Sequence, residues 1–296
     1  MNTVDKLDKL GTAHPEWMPW LCVVREVVAA LSSPLEHAKF VRMQAPAGPA
    51  PMLGGAALQP DARTLAPLLD RLMRVAHAQG LHAVVGHAPP ARAIPSDEVL
   101  ALFLSAINGE HASRTEQRTL PAGASREGWH SLVQLLPMPY LHACARSWAT
   151  HGGEPWSQGH CPVCAAWPAF AEVRGIARTR HLRCGRCGAG WAMPALACTY
   201  CGQMDHEALG TLVIEDPLAR FSVEICHSCS GYLKSCTTLQ ATAPQDVMVT
   251  DLASVAFDLA ATERGYFRPP GLGVSLRASL EVDRFVAPQA SGWWGP

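Results

Sequence analysis

Four Cys-x-x-Cys pairs constrain this 296-residue chain more than any other feature of its sequence. All lie in the second half, and they are Cys161/Cys164, Cys184/Cys187, Cys198/Cys201 and Cys226/Cys229. Two such turns can direct four thiolates at one ion and complete a tetrahedral site, with metal–sulfur bonds of about 2.3 Å for zinc. Eight cysteines in this pattern therefore predict two metal ions, each in a four-cysteine site.

The intervals between the pairs indicate which of them share an ion. They measure 19, 10 and 24 residues in chain order. The longer intervals fit a β-hairpin that brings two turns together, as in rubredoxin-like and zinc-ribbon-like sites, whereas the interval of 10 contains Pro194. We therefore assign site 1 to the first two pairs and site 2 to the last two. An interleaved pairing, first with third and second with fourth, is the alternative.

The residue that follows each pair gives a local test of this interpretation. A glycine there eases a left-handed backbone, and Gly188 and Gly202 occupy the position. Gly231 comes one place late, and Ala165 stands where a glycine would fit best. Free thiols or a redox dithiol are the alternative to metal sites, but a dithiol oxidoreductase needs one reactive pair rather than four. Four thiolates suit both iron and zinc.

Composition limits the classes of protein that remain. Hydrophobic residues make up 48% and charged residues 17%, which predicts a packed core, and the net charge of −1 disfavours a nucleic-acid-binding protein. No apolar run approaches the roughly 20 residues that span a bilayer, and no signal peptide is visible, so we expect a cytoplasmic protein without membrane insertion. The remaining cysteines, Cys22, Cys144 and Cys236, are predicted to be small buried apolar residues.

The sequence predicts an α+β fold with a helical N-terminal domain. Apolar residues at three- and four-residue spacings indicate helices within residues 16–33, 61–80, 95–109 and 128–150, with Pro137 and Pro139 interrupting the last. The Ala-, Pro- and Gly-rich stretch 45–60 is predicted to be a loop or linker. The expected domains are a helical domain (1–158), a first metal module (159–195), a second metal module (196–240) and a C-terminal helix with a tail (241–296).

Five arginines crowd the interval between the first two cysteine pairs. They are candidates for binding an acidic partner surface or a phosphate group, although a solvated hairpin face that offsets the charge of site 1 is the preferred explanation. These residues are Arg174, Arg178, Arg180, Arg183 and Arg186.

The cysteine-rich half resembles the FdhE-type formate dehydrogenase accessory proteins. The similarity runs from about residue 160 to 268 and is carried by CPVC (161–164), RHLRCGRCGAGW (180–191), CTYCG (198–202), EICHSCSGYLK (224–234) and DLASVAFDLAATERGY (251–266). The resemblance implies a cytoplasmic factor that acts on the catalytic subunit of respiratory formate dehydrogenase. It favours iron over zinc, because the family is associated with rubredoxin-type iron. Ala165 departs from the family's usual glycine without affecting a ligand.

The function expected from these features is that of a metal-binding maturation factor rather than an enzyme. No nucleophile, base and oxyanion set can be assembled from the sequence, so no catalytic residue is predicted. A zinc-ribbon nucleic-acid-binding protein and a rubredoxin-like electron carrier are the alternatives. The first has only the arginines in its favour, and the second does not account for the long helical region.

Overall fold

The structure is a computed structural model that describes residues 2–31, 50–88, 94–111, 113–150, 156–213 and 220–281, and the backbone alone of residues 32 and 39–42. The first half of the chain is mainly helical, as its periodicity predicts. Its α-helices are α1 (Thr3–Ala13), α2 (Met18–Ser32), α3 (Ala62–Ala78), α4 (His82–Val85), α5 (Ser96–Asn108), α6 (Arg114–Thr119), α7 (Arg126–Val133) and α8 (Met138–Thr150).

Local signals in the sequence set the ends of the predicted helices. Asp61 caps α3, because its side chain accepts a hydrogen bond from the backbone N–H of Arg63. Gly109 ends α5 in a left-handed conformation with φ of 66°. Of the two prolines expected to break the last helix, Pro137 lies between α7 and α8, and Pro139 is the second residue of α8. Most of these helices bury apolar residues in one core, which also contains the cysteines of site 1. Helix α1 packs instead with α2 and Val249 in a second, smaller cluster.

Two parts of the N-terminal half differ from the prediction. The stretch expected to be a loop contains the strand β2 (Ala56–Gln59), which pairs with β1 (Lys39–Arg42) and, in parallel, with β9 (Ser279–Leu280). Alanine has a low strand propensity, so the local sequence does not indicate this strand, and burial of Ala56 and Leu58 in the core favours it instead. The other difference is α1, which begins at a capping box on Asn2.

The cysteine-rich half forms one six-stranded sheet. Its strands are β3 (Phe170–Arg174), β4 (Thr179–Arg183), β5 (Gly190–Ala192), β6 (Leu209–Leu212), β7 (Phe221–Cys226) and β8 (Tyr232–Thr238), in the order β5-β4-β3-β8-β7-β6. The first module supplies β3 to β5 and the second supplies β6 to β8, each as a hairpin followed by a third strand. The two modules join where β3 and β8 run in parallel, and every other neighbouring pair is antiparallel.

This topology brings all four cysteine pairs to the same end of the sheet. The first pair precedes β3 and the second follows β4, whose last residue, Arg183, pairs with the first residue of β3. The third pair precedes β6. The fourth begins at Cys226, the last residue of β7, and ends in the turn before β8. Because β3 and β8 are parallel, their starting ends, and with them sites 1 and 2, lie side by side.

The predicted C-terminal helix is present as two segments, α9 (Val247–Ala253) and α10 (Val255–Thr262). They meet at Ser254, whose hydroxyl donates hydrogen bonds to the carbonyls of Thr250 and Asp251 and so competes with regular helical bonding. Both segments pack near β7 and β8 of the sheet. None of the helices in the described ranges combines the length and hydropathy needed to cross a bilayer. The division into four domains given above stays a prediction.

Candidate metal centres

Site 1 is a buried group of four thiols. The sulfurs of Cys161, Cys164, Cys184 and Cys187 all lie within 4.8 Å of one another. Two of the contacts, Cys161 to Cys187 and Cys164 to Cys184, measure 3.5 Å between Sγ atoms. All four residues have an exposed fraction of 0%.

Site 2 has the same composition and a more open position. The sulfurs of Cys198 and Cys229 are 3.7 Å apart, and those of Cys201 and Cys226 are 3.8 Å apart. Cys201 is exposed and Cys229 is half-buried, although Cys198 and Cys226 are buried. The sulfurs are therefore grouped in the sequential order of the pairs and not in the interleaved one.

Each cysteine pair is held in the same tight turn of backbone. In all four turns the N–H of the first cysteine donates to the carbonyl five residues later, with N···O distances of 2.7 to 2.9 Å. The first sulfur also accepts a backbone hydrogen bond at 3.4 Å in two of them, from Val163 to Cys161 and from Tyr200 to Cys198. Such N–H donors stabilise a thiolate, so the turns are shaped for negatively charged sulfur.

The residue after each pair has a positive φ in every turn. The value is 58° at Ala165, 71° at Gly188, 73° at Gly202 and 53° at Ser230. The turn after Cys229 therefore places Ser230, and not Gly231, in the left-handed conformation. Alanine and serine in this region carry a steric cost of about 1–2 kcal/mol. Tertiary packing maintains the geometry of the first and fourth turns without the glycine that eases the other two.

The N-terminal helices enclose site 1. A Cβ atom on Gly188 would lie 2.9 Å from the His142 ring of α8, so glycine is required there for packing as well as for φ. Backbone N–H groups of Met52 and Leu53 donate to the carbonyls of Pro162 and Val163 within the first turn. Burial lowers the pKa of His142 to about 4, so a neutral imidazole lies against the site at physiological pH.

The sulfur geometry fits a tetrahedral metal ion in both groups. Four thiolates bound at about 2.3 Å in a regular tetrahedron lie about 3.8 Å from one another, close to the distances found here. Burial raises the pKa of the Cys161 and Cys187 thiols well above their usual range, while hydrogen bonds from neighbouring thiols lower that of Cys164. A cation would displace the remaining protons and neutralise the buried charge. The geometry fits iron and zinc equally well.

The five arginines of the first module do not form one exposed strip, which corrects the docking surface considered above. Arg180 is buried and bonds both carboxylate oxygens of Glu224, at 2.6 Å from Nη2 to Oε2. Arg183 is also buried and lies with Arg174 on the buried Glu172. Arg186 donates to a carbonyl of α5. Their partners lie up to 80 residues away along the chain. Arg178, in contrast, is exposed to solvent.

A buried charge network fixes the C-terminal helices to the sheet, and the sequence analysis did not identify it. The ammonium group of Lys234 is fully buried and lies 2.7 Å from carboxylate oxygens of both Asp251 and Asp258. Arg268 donates to Asp258 at 2.8 Å. Lys234 and the two aspartates belong to EICHSCSGYLK and DLASVAFDLAATERGY, two segments that carry the resemblance. These two segments therefore interact through their side chains. A lysine within an otherwise apolar strand is the feature of the sequence that could have indicated this network.

The other three cysteines lie outside both groups. Cys144 and Cys236 are buried, as predicted, and Cys22 on α2 is half-buried. Burial raises the pKa of the Cys144 thiol, so it stays protonated at physiological pH.

The sequence of this chain is similar to those of proteins named FdhE. Residues 196–272 match the sequence family described as FdhE, C-terminal domain. A Protein FdhE homolog of Pseudomonas aeruginosa is 29% identical over 195 residues, 58% of this chain and 63% of that relative. A Protein FdhE homolog of Haemophilus influenzae is 33% identical over 112 residues, 37% of this chain and 36% of that relative. The matched part thus spans less than two thirds of these curated relatives.

The fold also has a counterpart among solved structures. The crystal structure of the FdhE protein from Pseudomonas aeruginosa superimposes with a TM-score of 0.51 and covers 92% of this chain and 93% of that one. Sequence identity in this superposition is 22%, so it is a likeness of fold. It extends over the helical half as well as the cysteine-rich half.

Proposed function

We propose that this chain, which is similar to FdhE proteins in sequence and in fold, is a metal-binding accessory factor for respiratory formate dehydrogenase. It binds the catalytic subunit in the cytoplasm and supports its assembly or activation. The observation that carries the proposal is the pair of four-cysteine groups that could hold two metal ions, built into an FdhE-type sheet. Their ligands are Cys161, Cys164, Cys184 and Cys187 in site 1, and Cys198, Cys201, Cys226 and Cys229 in site 2.

The arrangement of the two groups supports a binding role and not catalytic turnover. Each group offers four thiolates, which complete a tetrahedral shell and leave no position for a reacting water. A bound ion would crosslink two turns and, if it is iron, could also take up and release one electron. The backbone N–H groups of Val163 and Tyr200 would stabilise the thiolates in either case.

The structure gives little support to the alternative of a nucleic-acid-binding protein. That interpretation rested on the five arginines, and four of them bond to groups within the chain. The neutral overall charge also disfavours it. A maturation factor needs a surface for its client, and the shared sheet with both sites at one end provides a rigid one.

Co-purification with the formate dehydrogenase catalytic subunit tests the proposal. Under reducing, anaerobic conditions we expect wild type to recover the subunit and the double variant Cys226→Ser, Cys229→Ser to recover much less, because metal binding is coupled to folding of the second module. Cys22→Ser, which removes a cysteine outside both sites, is the matched control. No recovery by wild type would contradict the proposal, and equal recovery by the double variant would show that site 2 does not support docking.

The metal is tested separately, by its content and colour in protein purified without oxygen. We propose iron in preference to zinc, on the strength of the family resemblance. Ferric tetrathiolate sites are red, whereas zinc sites are colourless. A colourless protein that contains zinc at both sites after growth with ample iron would contradict the preference for iron.

A further inference from the structure

In the described part of the chain, α9 and α10 pack against one face of the second half of the sheet. Lys234 and Tyr232 of β8 point toward α9 and α10, as their bonds to Asp258 show. Alternate residues of the same strands point the other way, among them Ser235 of β8 and Ser222 and Glu224 of β7. On that face lies an open cavity of about 370 Å³, bordered by the segment that contains Cys198.

The floor of this cavity is lined by small hydroxyl side chains. Ser222 and Ser235 face each other across β7 and β8, and Thr211 lies on the edge strand β6, opposite Glu224. Ser235 has an exposed fraction of only 5%. None of these three hydroxyls bonds to another group in the described part of the chain. Small side chains allow a ligand to approach the sheet closely, and free hydroxyls can bond to a peptide backbone.

The charge in the cavity comes mainly from Arg178. The carboxylate of Glu224 is neutralised by Arg180, whose guanidinium also bonds to Thr199 and Pro194. Arg178 is exposed on the β3–β4 turn and forms no ion pair with the residues that the structure describes. A second cavity, of about 520 Å³, shares Arg178 and Ala195 with the first. The two cavities therefore adjoin each other at Arg178, and together they are called the groove below.

We propose that this groove binds an extended peptide segment of the client protein, with an acidic side chain of that segment paired to Arg178. The three hydroxyls bond to the peptide backbone, and Leu196, which is 64% exposed on the rim, packs against its apolar side chains. The inference rests on the proposed function and specifies where the client is held. Since Cys198 and Cys226 line the same cavity, a bound segment lies directly beside site 2.

The shape and charge favour a peptide over a nucleic acid. A strand of nucleic acid presents a phosphate at every nucleotide and is usually bound by several cations with stacking aromatic side chains. The described lining offers one unpaired arginine, and it also contains the carboxylate of Glu224. An isolated carboxylate in a largely neutral extended chain matches this arrangement better.

The test measures affinity for the purified formate dehydrogenase catalytic subunit by biolayer interferometry. Two groove variants, Arg178→Glu and Thr211→Trp, reverse the charge and fill the space respectively, and each is expected to weaken binding about tenfold or more. Arg114→Glu reverses an exposed arginine at the start of α6 and is expected to bind like wild type. Metal content and circular dichroism equal to wild type establish that both groove variants are folded.

The outcomes separate this proposal from the function it rests on. If wild type and all three variants bind the subunit with equal affinity, the groove proposal is wrong, although the accessory function still holds. No binding by wild type would overturn both. If wild type instead binds a single-stranded oligonucleotide and Arg178→Glu abolishes that binding, the groove belongs to nucleic acid and the peptide proposal fails. Photo-crosslinking from position 211 to an acidic segment of the subunit would support it.

Discussion

Sites 1 and 2 are built from the same cysteine turns, yet they are connected to the rest of the molecule very differently. The four cysteines of site 1 are fully buried, and residues of the N-terminal helices and of the segment around β2 bond to its turns. Site 2 lies in the second half of the sheet with Cys201 exposed. Its turns contact the second module, the residues that follow it, and Trp167 and Arg180 of the first module. The same ligand set can thus hold a whole fold together or serve as an accessible local site.

The difference follows from the environment of the turns rather than from their sequence. At site 1, Gly188 packs against His142 of α8 and Pro244, so the turn fills a space between two parts of the chain. At site 2, a Cβ on Gly202 would meet nothing within 4 Å. Loss of an ion should therefore have global consequences at site 1 and local consequences at site 2.

The largest effect is expected from the double variant Cys184→Ser, Cys187→Ser. It should release the ion of site 1, spare that of site 2 and destabilise the whole protein by more than about 4 kcal/mol, because the buried turns would lose their crosslink. The variant Cys198→Ser, Cys201→Ser should also lose one ion but keep the main thermal transition near that of wild type. Thermal unfolding followed by circular dichroism, with elemental analysis, measures both. Equal losses of stability in the two variants would refute the difference between the sites.

Lys234→Met should cause the next largest loss, about 3–5 kcal/mol, because it leaves two aspartates without their buried partner. The effect should loosen α9 and α10 from the site 2 half of the sheet before it reaches site 1. Hydrogen exchange of the two halves, with thermal unfolding, would measure it. Lys9→Met, at an exposed position on α1, is the control and should change stability by less than about 0.5 kcal/mol. Uniform loss of exchange protection across both halves would argue against this local role.

The smallest effects concern the strained turns. Ser230→Gly should stabilise the protein by about 0.5–1 kcal/mol, since glycine adopts the left-handed conformation without the steric cost of a side chain. Ala165→Gly relieves the same strain but removes a buried methyl group worth about 0.8 kcal/mol, so its net effect should be close to zero. Chemical denaturation measures both differences. A larger gain at Ala165 than at Ser230 would mean that the methyl group contributes nothing to packing at site 1.

Much of this arrangement could be predicted from the sequence where the signals are local. The interval lengths predicted which cysteines lie together, and Asp61 and Gly109 marked the helix ends that the structure has. The interactions that were missed join residues far apart in the chain. Arg180 pairs with Glu224, β3 pairs in parallel with β8, and Ala56 and Leu58 form a strand because the core surrounds them. No periodicity or spacing rule specifies such contacts, since tertiary packing decides them.

Native mass spectrometry of anaerobically purified protein during incubation with a chelator tests the central claim most directly. The account predicts two ions per chain at the start and then a one-ion species in which, of the eight ligand cysteines, only those of site 2 can be alkylated. Protein that begins with one ion, loses both ions together, or first exposes the cysteines of site 1 would contradict it.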